Sequence, residues 1–326
     1  MSSPDQADLK TEPSFRDHIL PKRHIGRWVL SVVVLAVVAL VIFTFARAKI
    51  SWPAVGSYIV APQFLSATLN VLLLAVISLA ASVVIGLLVT LMRTSKSPIA
   101  SAIAWFYVWI FRGVPLLLQL VIWYNFALLI PRVTVGIPFT SVVFFDESTN
   151  VVMTPLLAAF LGLALCEAAY VSELIRGSLK SVDVGQGEAA AALGMSPARI
   201  LRRIVLPQAM KSLIPPMGNQ FIGMLKATSL ASLVTYPELV YVAQGISALN
   251  LQVIETLFAS AFWYMVLITG FSIIQYFIER KFDAGVLAAQ PRSFGKVWLA
   301  GIVPWISRGR AKTASQPALV EGNNNV

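Results

Sequence analysis

Apolar stretches without a charged residue, separated by short polar breaks, set the organisation of this chain. Trp28–Phe45 and Leu65–Met92 are charge-free, and each approaches or exceeds the length a helix needs to cross hydrocarbon. Ser97–Phe111 is also apolar, but Arg112-Gly113-Val114-Pro115 follows before the next apolar run, Leu116–Ile130. Arginine and proline interrupt what would otherwise be one very long helix, which predicts an approach helix and then a short span with a broken start. Val152–Ser172 forms a span with Glu167 near its middle and Glu173 and Arg176 toward its end. Ser212–Thr235 is a weaker span holding Pro215, Pro216, Asn219, Gln220 and Lys226, and Thr256–Ile278 is a clean final one. Residues 131–151 and 236–255 read as polar loops, and no internal repeat stands out. The pattern predicts an all-α, polytopic membrane helix bundle of about six spans, with both termini on one side. Residues 1–27 and 282–326 are polar or basic and read as tails, the last ending disordered. Ala46-Arg47-Ala48 resembles a signal-peptidase site, but the preceding n-region is long and the apolar run exceeds a usual h-region, which favours a retained span.

Composition supports the membrane assignment. Of 326 residues 57% are hydrophobic and only 12% charged, with a mean hydropathy of +0.78. A soluble domain carries roughly twice that charged fraction. The net charge of +10 sorts by side. Arg47, Lys49 and Arg132 fall on one side, whereas the N-tail, Arg93, Lys96, Lys180, Arg199, Arg202, Arg203, Lys211 and the C-tail fall on the other. The excess of lysine and arginine marks the second side as cytoplasmic. Because the charge tracks topology, a nucleic-acid binder is excluded. Cys166 is the only cysteine and lies in an apolar run, so no internal disulfide exists. The two histidines, His18 and His24, lie in the N-tail, and no HExxH pattern is present, which argues against a zinc or haem site.

One polar segment is unusually well punctuated. Between residues 177 and 211 the chain reads as two short helices with their own caps. Asp183 begins the first, with Gln186 three residues on as in a capping box, and Gly194 is placed to end it in the left-handed conformation. Ser196 begins the second, Pro197 occupies its favoured first helical position, and Pro207 closes the segment. On the second helix Ile200, Leu201, Ile204 and Val205 share one face and Arg199, Arg202 and Arg203 the other. A basic amphipathic helix can simply rest on anionic lipid. A connection between two spans, however, does not require two capped helices, and Glu188 on an alanine run invites close approach by another backbone.

Glu188-Ala189-Ala190, Gly194 and Ile204-x-Leu206-Pro207 together resemble the EAA loop of bacterial ABC-importer permeases. "FRGVPLLLQL" (111–120), "AYVSELIRGSLKSV" (169–182) and "LPQAMKSLIPPMGNQFIGMLKATSLASLV" (206–234) are similar to the polar-amino-acid branch, the histidine, glutamine and glutamate permeases. The resemblance covers roughly 62–281 and implies a five-helix permease core in the inner membrane of a bacterium. Residues 28–61 then form an extra N-terminal span with its periplasmic connection. The resemblance also implies that 177–211 is a coupling loop, in which Glu188, Ala189, Ala190, Gly194, Ile204, Leu206 and Pro207 dock on a separate ATPase. The subunit itself is then not an enzyme and holds no cofactor, ATP being bound by its partner. The chain has no G-x-x-x-x-G-K-[ST] sequence of its own. The implied partners are that ATPase, a second copy or a similar permease, an extracytoplasmic amino-acid-binding protein and the lipid bilayer.

Ionisable residues inside spans are costly and usually functional. Glu167, Glu173 and Lys226 are of this kind. Glu173 and Arg176 match the family pattern, yet three residues apart on one helix they equally suit a structural ion pair. Lys226 precedes Ala227 where the family often has aspartate, so a carboxylate partner is expected from Glu167 or Glu173, with a Glu167–Lys226 pair slightly favoured over Glu167 meeting substrate. Asn219, Gln220, Thr228 and Ser229 flank the Pro215-Pro216 break, where freed backbone groups can line a cavity, and Gln119 and Asn125 are candidates for the same space. Each amide or hydroxyl also suits plain interhelical packing. Two rival functions remain open: an ion-coupled secondary transporter working through Glu167, and a membrane scaffold or channel-like protein without a substrate pocket.

Overall fold

A computed structural model describes residues 25–47, 49–137 and 142–283. The predicted tails lie largely outside these residues. Contacts divide the chain after Ser51. The first unit contains one helix, α1 (Ile25–Arg47). From Val29 to Phe45 its large apolar side chains are all exposed, with no polar stripe. A helix apolar on every side, with nothing of its own unit to cover it, suits hydrocarbon surroundings.

The second unit begins at Trp52. Its elements are α2 (Trp52–Ile59), α3 (Pro62–Thr94), α4 (Pro98–Gly113), α5 (Leu116–Tyr124), β1 (Arg132–Gly136), β2 (Val143–Ser148), α6 (Thr149–Val152), α7 (Pro155–Lys180), α8 (Val184–Ala192), α9 (Pro197–Ile200), α10 (Leu206–Ala227), α11 (Leu239–Asn250) and α12 (Val253–Asp283). Among the described residues three helices, α3, α7 and α12, are long and apolar enough to cross a membrane. The α4–α5 pair qualifies as a fourth, bent by 101°. Helix α10 is long enough but carries Lys211, Asn219, Gln220 and Lys226, which lower its hydropathy.

Helices α3 and α7 form the spine. Ser82 Oγ donates to the Ala164 carbonyl at 3.1 Å and Thr90 Oγ1 to the Ser172 carbonyl at 3.0 Å. Both pairs are separated by 82 residues, so the contact advances equally along each helix and the two run parallel. The approach is close because Gly86 faces the Ala168 carbonyl; a Cβ on it would stand 2.9 Å from Val171 Cγ1. Small residues let backbones meet where no hydrophobic force separates protein from lipid. Gly162 plays the same part for α5, since a Cβ there would meet Leu120 at 2.6 Å. The core around this spine holds Phe64, Leu74, Leu120, Leu163, Met224, Leu225 and Leu239.

Three segments differ from expectation. Residues 132–136 and 143–148, read as loop, pair as antiparallel strands in which Arg132 opposes Ser148 and Thr134 opposes Asp146. Asp146 accepts from Arg132 Nη2 at 2.8 Å and from Thr134 Oγ1 at 3.0 Å. These bonds, Arg132 first, hold its carboxyl below the usual carboxylate range. Residues 239–250, also read as loop, form α11. Glu238, fully buried, caps it by accepting from the Val240 and Tyr241 amides at 2.9 and 2.8 Å and from the Tyr264 hydroxyl at 2.8 Å. Residues 52–59, read as connection, form α2, which is fastened to α12 and its approach: Trp263 donates to the Ile59 carbonyl at 3.0 Å and the Tyr58 hydroxyl to Gln252 at 2.6 Å.

Candidate functional site

The first helix of the segment leaving α7 starts at Asp183 and ends at Gly194 as expected, although Gln186 makes no capping-box bond from its side chain. Asp183 Oδ1 accepts from the Gly185 amide at 2.7 Å and starts α8. Gly194 takes φ +78°, and the Met195 and Gly194 amides donate to the Ala190 and Ala191 carbonyls at 3.1 and 2.9 Å. This is the full six-to-one and five-to-two pattern of a Schellman end. Ser196 and Pro197 open α9 as expected, although the Ser196 side chain makes no capping bond. Pro207 does not close the segment. Helix α9 passes through a π-helical turn, Leu201–Val205, directly into α10, and Pro207 follows that turn inside one continuous helical run.

Within this loop Ala190 is buried, Glu188 and Ala189 are exposed, Ile204 is half-buried, and Leu206 and Pro207 are exposed. Two apolar side chains at the ends of α8 stand almost free: Val184 at 74% and Leu193 at 84% exposure. The loop therefore presents a carboxylate, small residues and bare aliphatics together on a short capped helix.

Inside the bundle the candidates separate. Gln119 is buried in α5, and its Nε2 donates to the Phe111 carbonyl at 3.0 Å and the Val114 carbonyl at 2.8 Å. These carbonyls lie at the break before Pro115, so the amide braces the α4–α5 bend. Cys166 Sγ shares the Phe111 carbonyl at 3.5 Å, which places Gln119 beside Cys166. Glu167 meets Gln220 across the α7–α10 contact. One oxygen of Glu167 and the Oε1 of Gln119 are buried without a protein partner, as is Ser78 Oγ on α3. Unpaired buried oxygens are costly, and a polar ligand or water would satisfy them.

The favoured Glu167–Lys226 pair does not form. Lys226 is exposed at the end of α10 and has no ion pair among the described residues. Glu173 is not its partner either. One Glu173 oxygen accepts from Arg93 of α3 at 2.6 Å and the other from Arg176, so the carboxylate is saturated in an interhelical network. Asn219 is exposed; Asn125 Nδ2 turns back to the Val121 carbonyl at 2.9 Å at the end of α5. Thr228 is fully buried and Ser229 half-buried, and their hydroxyls donate to the Leu225 and Lys226 carbonyls, each at 2.7 Å. Of the candidates, Glu167 and Gln220 are brought together. The sequence reading missed Arg93 as a partner for Glu173 and Glu238 as a buried cap. The acidic residue directly before the apolar run of α11 was the available signal for the second.

A bundle of membrane-crossing helices with unsatisfied polar atoms inside and a capped helical loop outside defines a multi-pass membrane transport component. The chain belongs to the family of binding-protein-dependent transport system inner membrane components, whose model matches residues 82–284. It is 35% identical to the arginine transport system permease protein ArgU of Corynebacterium glutamicum, over 81% of this chain and 83% of that protein. It is 31% identical to the glutamine transport system permease protein GlnP of Escherichia coli, over 71% of this chain and 94% of that one. Among solved structures, an amino acid ABC transporter crystallised with histidines superposes with a TM-score of 0.62 at 30% identity, covering 72% of this chain and 100% of that one. The inward-facing methionine transporter MetNI shares the fold, with a TM-score of 0.52 at 19% identity. The ion-coupled alternative loses its support with this membership.

Proposed function

We propose that the chain is the translocating permease subunit of an ATP-driven importer for polar amino acids. The observation that carries this reading is the loop after α7: Glu188 and Ala189 exposed, Ala190 packed inward, and Val184 and Leu193 left bare on a helix held by its own caps. Such a helix suits a groove on a separate ATPase, which binds ATP and pulls two permease subunits together. The second subunit is another copy or a similar permease, and a binding protein delivers substrate on the opposite side. Both termini and residues 177–211 face the cytosol, as the lysine and arginine distribution favours. Residues 62–281 form the permease core, and 28–61 add a span and its connection. The relatives that transport arginine and glutamine support an amino acid as cargo. Glu167, with Gln119 and Gln220, is the candidate contact for its polar groups.

The test is purification of the tagged chain from native membranes in mild detergent. A stoichiometric ATPase is expected with the native chain and is expected to be lost with Glu188→Arg, while the variant still enters the membrane. Transport by the purified chain with no ATPase present, or normal assembly and uptake by the Glu188→Arg protein, would overturn the reading.

A further inference from the structure

The corner where α3, α4 and α7 meet carries more positive charge than its ion pairs use. Arg93 ends α3, Arg112 ends α4, and Arg176 and Lys180 lie in the last turns of α7. The one carboxylate among them, Glu173, is engaged by Arg93 and Arg176. Arg112 rests its guanidinium 5.1 Å from the centre of the Tyr170 ring, and neither Arg112 nor Lys180 has an ion pair among the described residues. Four cations against one anion leave a net surplus in one place.

The same corner is indented. Two adjoining shallow depressions, open to the surroundings and of about 720 and 440 Å³, share Arg93 and Trp105 in their walls; Arg176 and Lys180 line the first, and Arg112, Glu173 and Trp109 the second. Trp105 and Trp109 stack with ring centres 6.2 Å apart and planes within 6°, yet each remains more than half exposed. Along the same helix Ile99, Ile103 and Phe106 are also exposed. An occupant must therefore neutralise cations at one end and cover indoles and aliphatic groups at the other. A small inorganic anion meets only the first demand. A neutral lipid meets only the second. An acidic segment of a soluble protein leaves the apolar stripe of α4 bare.

We propose that this corner holds the headgroup phosphate of one anionic phospholipid, with its acyl chains along Trp105, Trp109 and the exposed face of α4. Indoles favour the headgroup level of a bilayer, and basic pockets between membrane helices suit anionic headgroups. The site lies at the end of α7 that leads into the loop, so a bound lipid braces α4 against the helix that carries the coupling segment. Its membership of the cytoplasmic leaflet rests on the orientation proposed above; the binding itself does not.

The test is lipid titration of the delipidated full-length chain followed by native mass spectrometry. Phosphatidylglycerol and phosphatidylcholine of identical chains are compared. One phosphatidylglycerol per chain is expected to bind roughly tenfold more tightly than phosphatidylcholine. Arg112→Gln with Lys180→Gln should erase that preference, whereas Lys49→Gln with Lys211→Gln, equal in charge removed, should keep it. Should the double variant fail to enter the membrane, Lys180→Gln alone must still weaken the preference several-fold. Equal binding of the two lipids, or an unchanged preference in the Arg112→Gln/Lys180→Gln variant or in Lys180→Gln alone, overturns the proposal. Millimolar inorganic phosphate that displaces the lipid completely assigns the site to a free anion instead. Native lipid preference with loss of a co-purifying ATPase in the double variant assigns it to a protein contact. A native chain that keeps its lipid preference but never carries an ATPase contradicts the importer reading and leaves the lipid site standing.

Discussion

Gly194 shows how a single backbone position can organise a helical loop. Its φ of +78° directs the chain from α8 into α9, and nothing lies within 4 Å of where a Cβ would sit. Substitution by alanine therefore meets no clash and suffers only the left-handed conformation, about 1 kcal/mol. Gly194→Ala should speed hydrogen exchange of the Met195 amide, which bonds to Ala190, by about fivefold. Unchanged exchange would mean that the turn is not what holds α8 in place. These caps were readable residue by residue, because capping is local chemistry. The surroundings of Glu167 were not. Lys226, in a neighbouring helix, was the natural partner by charge, yet Gln220, six residues before it, stands beside Glu167 and Lys226 points outward. Charge alone does not say which face of α10 meets α7.

Between helices the decisive contacts involve small residues. Gly86 lets α3 and α7 touch at backbone distance, and the hydroxyls of Ser82 and Thr90 cross that seam on either side of it. Gly86→Ala forces its methyl against the Ala168 carbonyl as well as Val171, a strain of about 1–3 kcal/mol. A lower melting temperature of the detergent-purified protein is expected. Val171→Ala should recover part of the loss, since the carbonyl contact remains. Gly56→Ala in α2, where nothing lies within 4 Å, should leave melting unchanged or raise it. A Gly86→Ala protein as stable as the native one would show that the helices can part there at no cost. The long spans were legible because a run of apolar residues suffices to call for a helix in hydrocarbon. The 131–151 and 236–255 segments were misread because their polarity resembled that of loops. The strand pair depends on Arg132 and Thr134 reaching Asp146 across the strands, and α11 on a buried glutamate held by Tyr264 from the next helix.

For the molecule as a whole, orientation is the property on which the importer reading depends. Cys166 is the only cysteine and is buried, so the native chain should resist a membrane-impermeant maleimide from either side. Leu193→Cys, on the loop, should label only in inverted vesicles, and Thr134→Cys, on β1, only from outside. The reverse pattern would invert the topology and remove the loop from any cytosolic ATPase. The expected topology derives from features repeated along the chain: apolar runs, their flanking arginines and lysines, and a punctuated loop between two of them.

Those features needed only neighbours in sequence. Hydropathy selects spans, basic residues are held back from translocation, and glycine, proline, serine and aspartate set helix ends through groups a few residues away. What required the folded bundle was every choice among distant partners. The parallel register of α3 and α7, the capture of Glu173 by Arg93, the unsatisfied oxygens of Gln119 and Glu167, and the cationic depression beside α4 all join residues far apart in the chain. Between apolar helices in lipid no hydrophobic force favours one face over another. Steric fit of small residues and the need to satisfy each buried polar group make that selection, and both are properties of assembled surfaces rather than of any one segment.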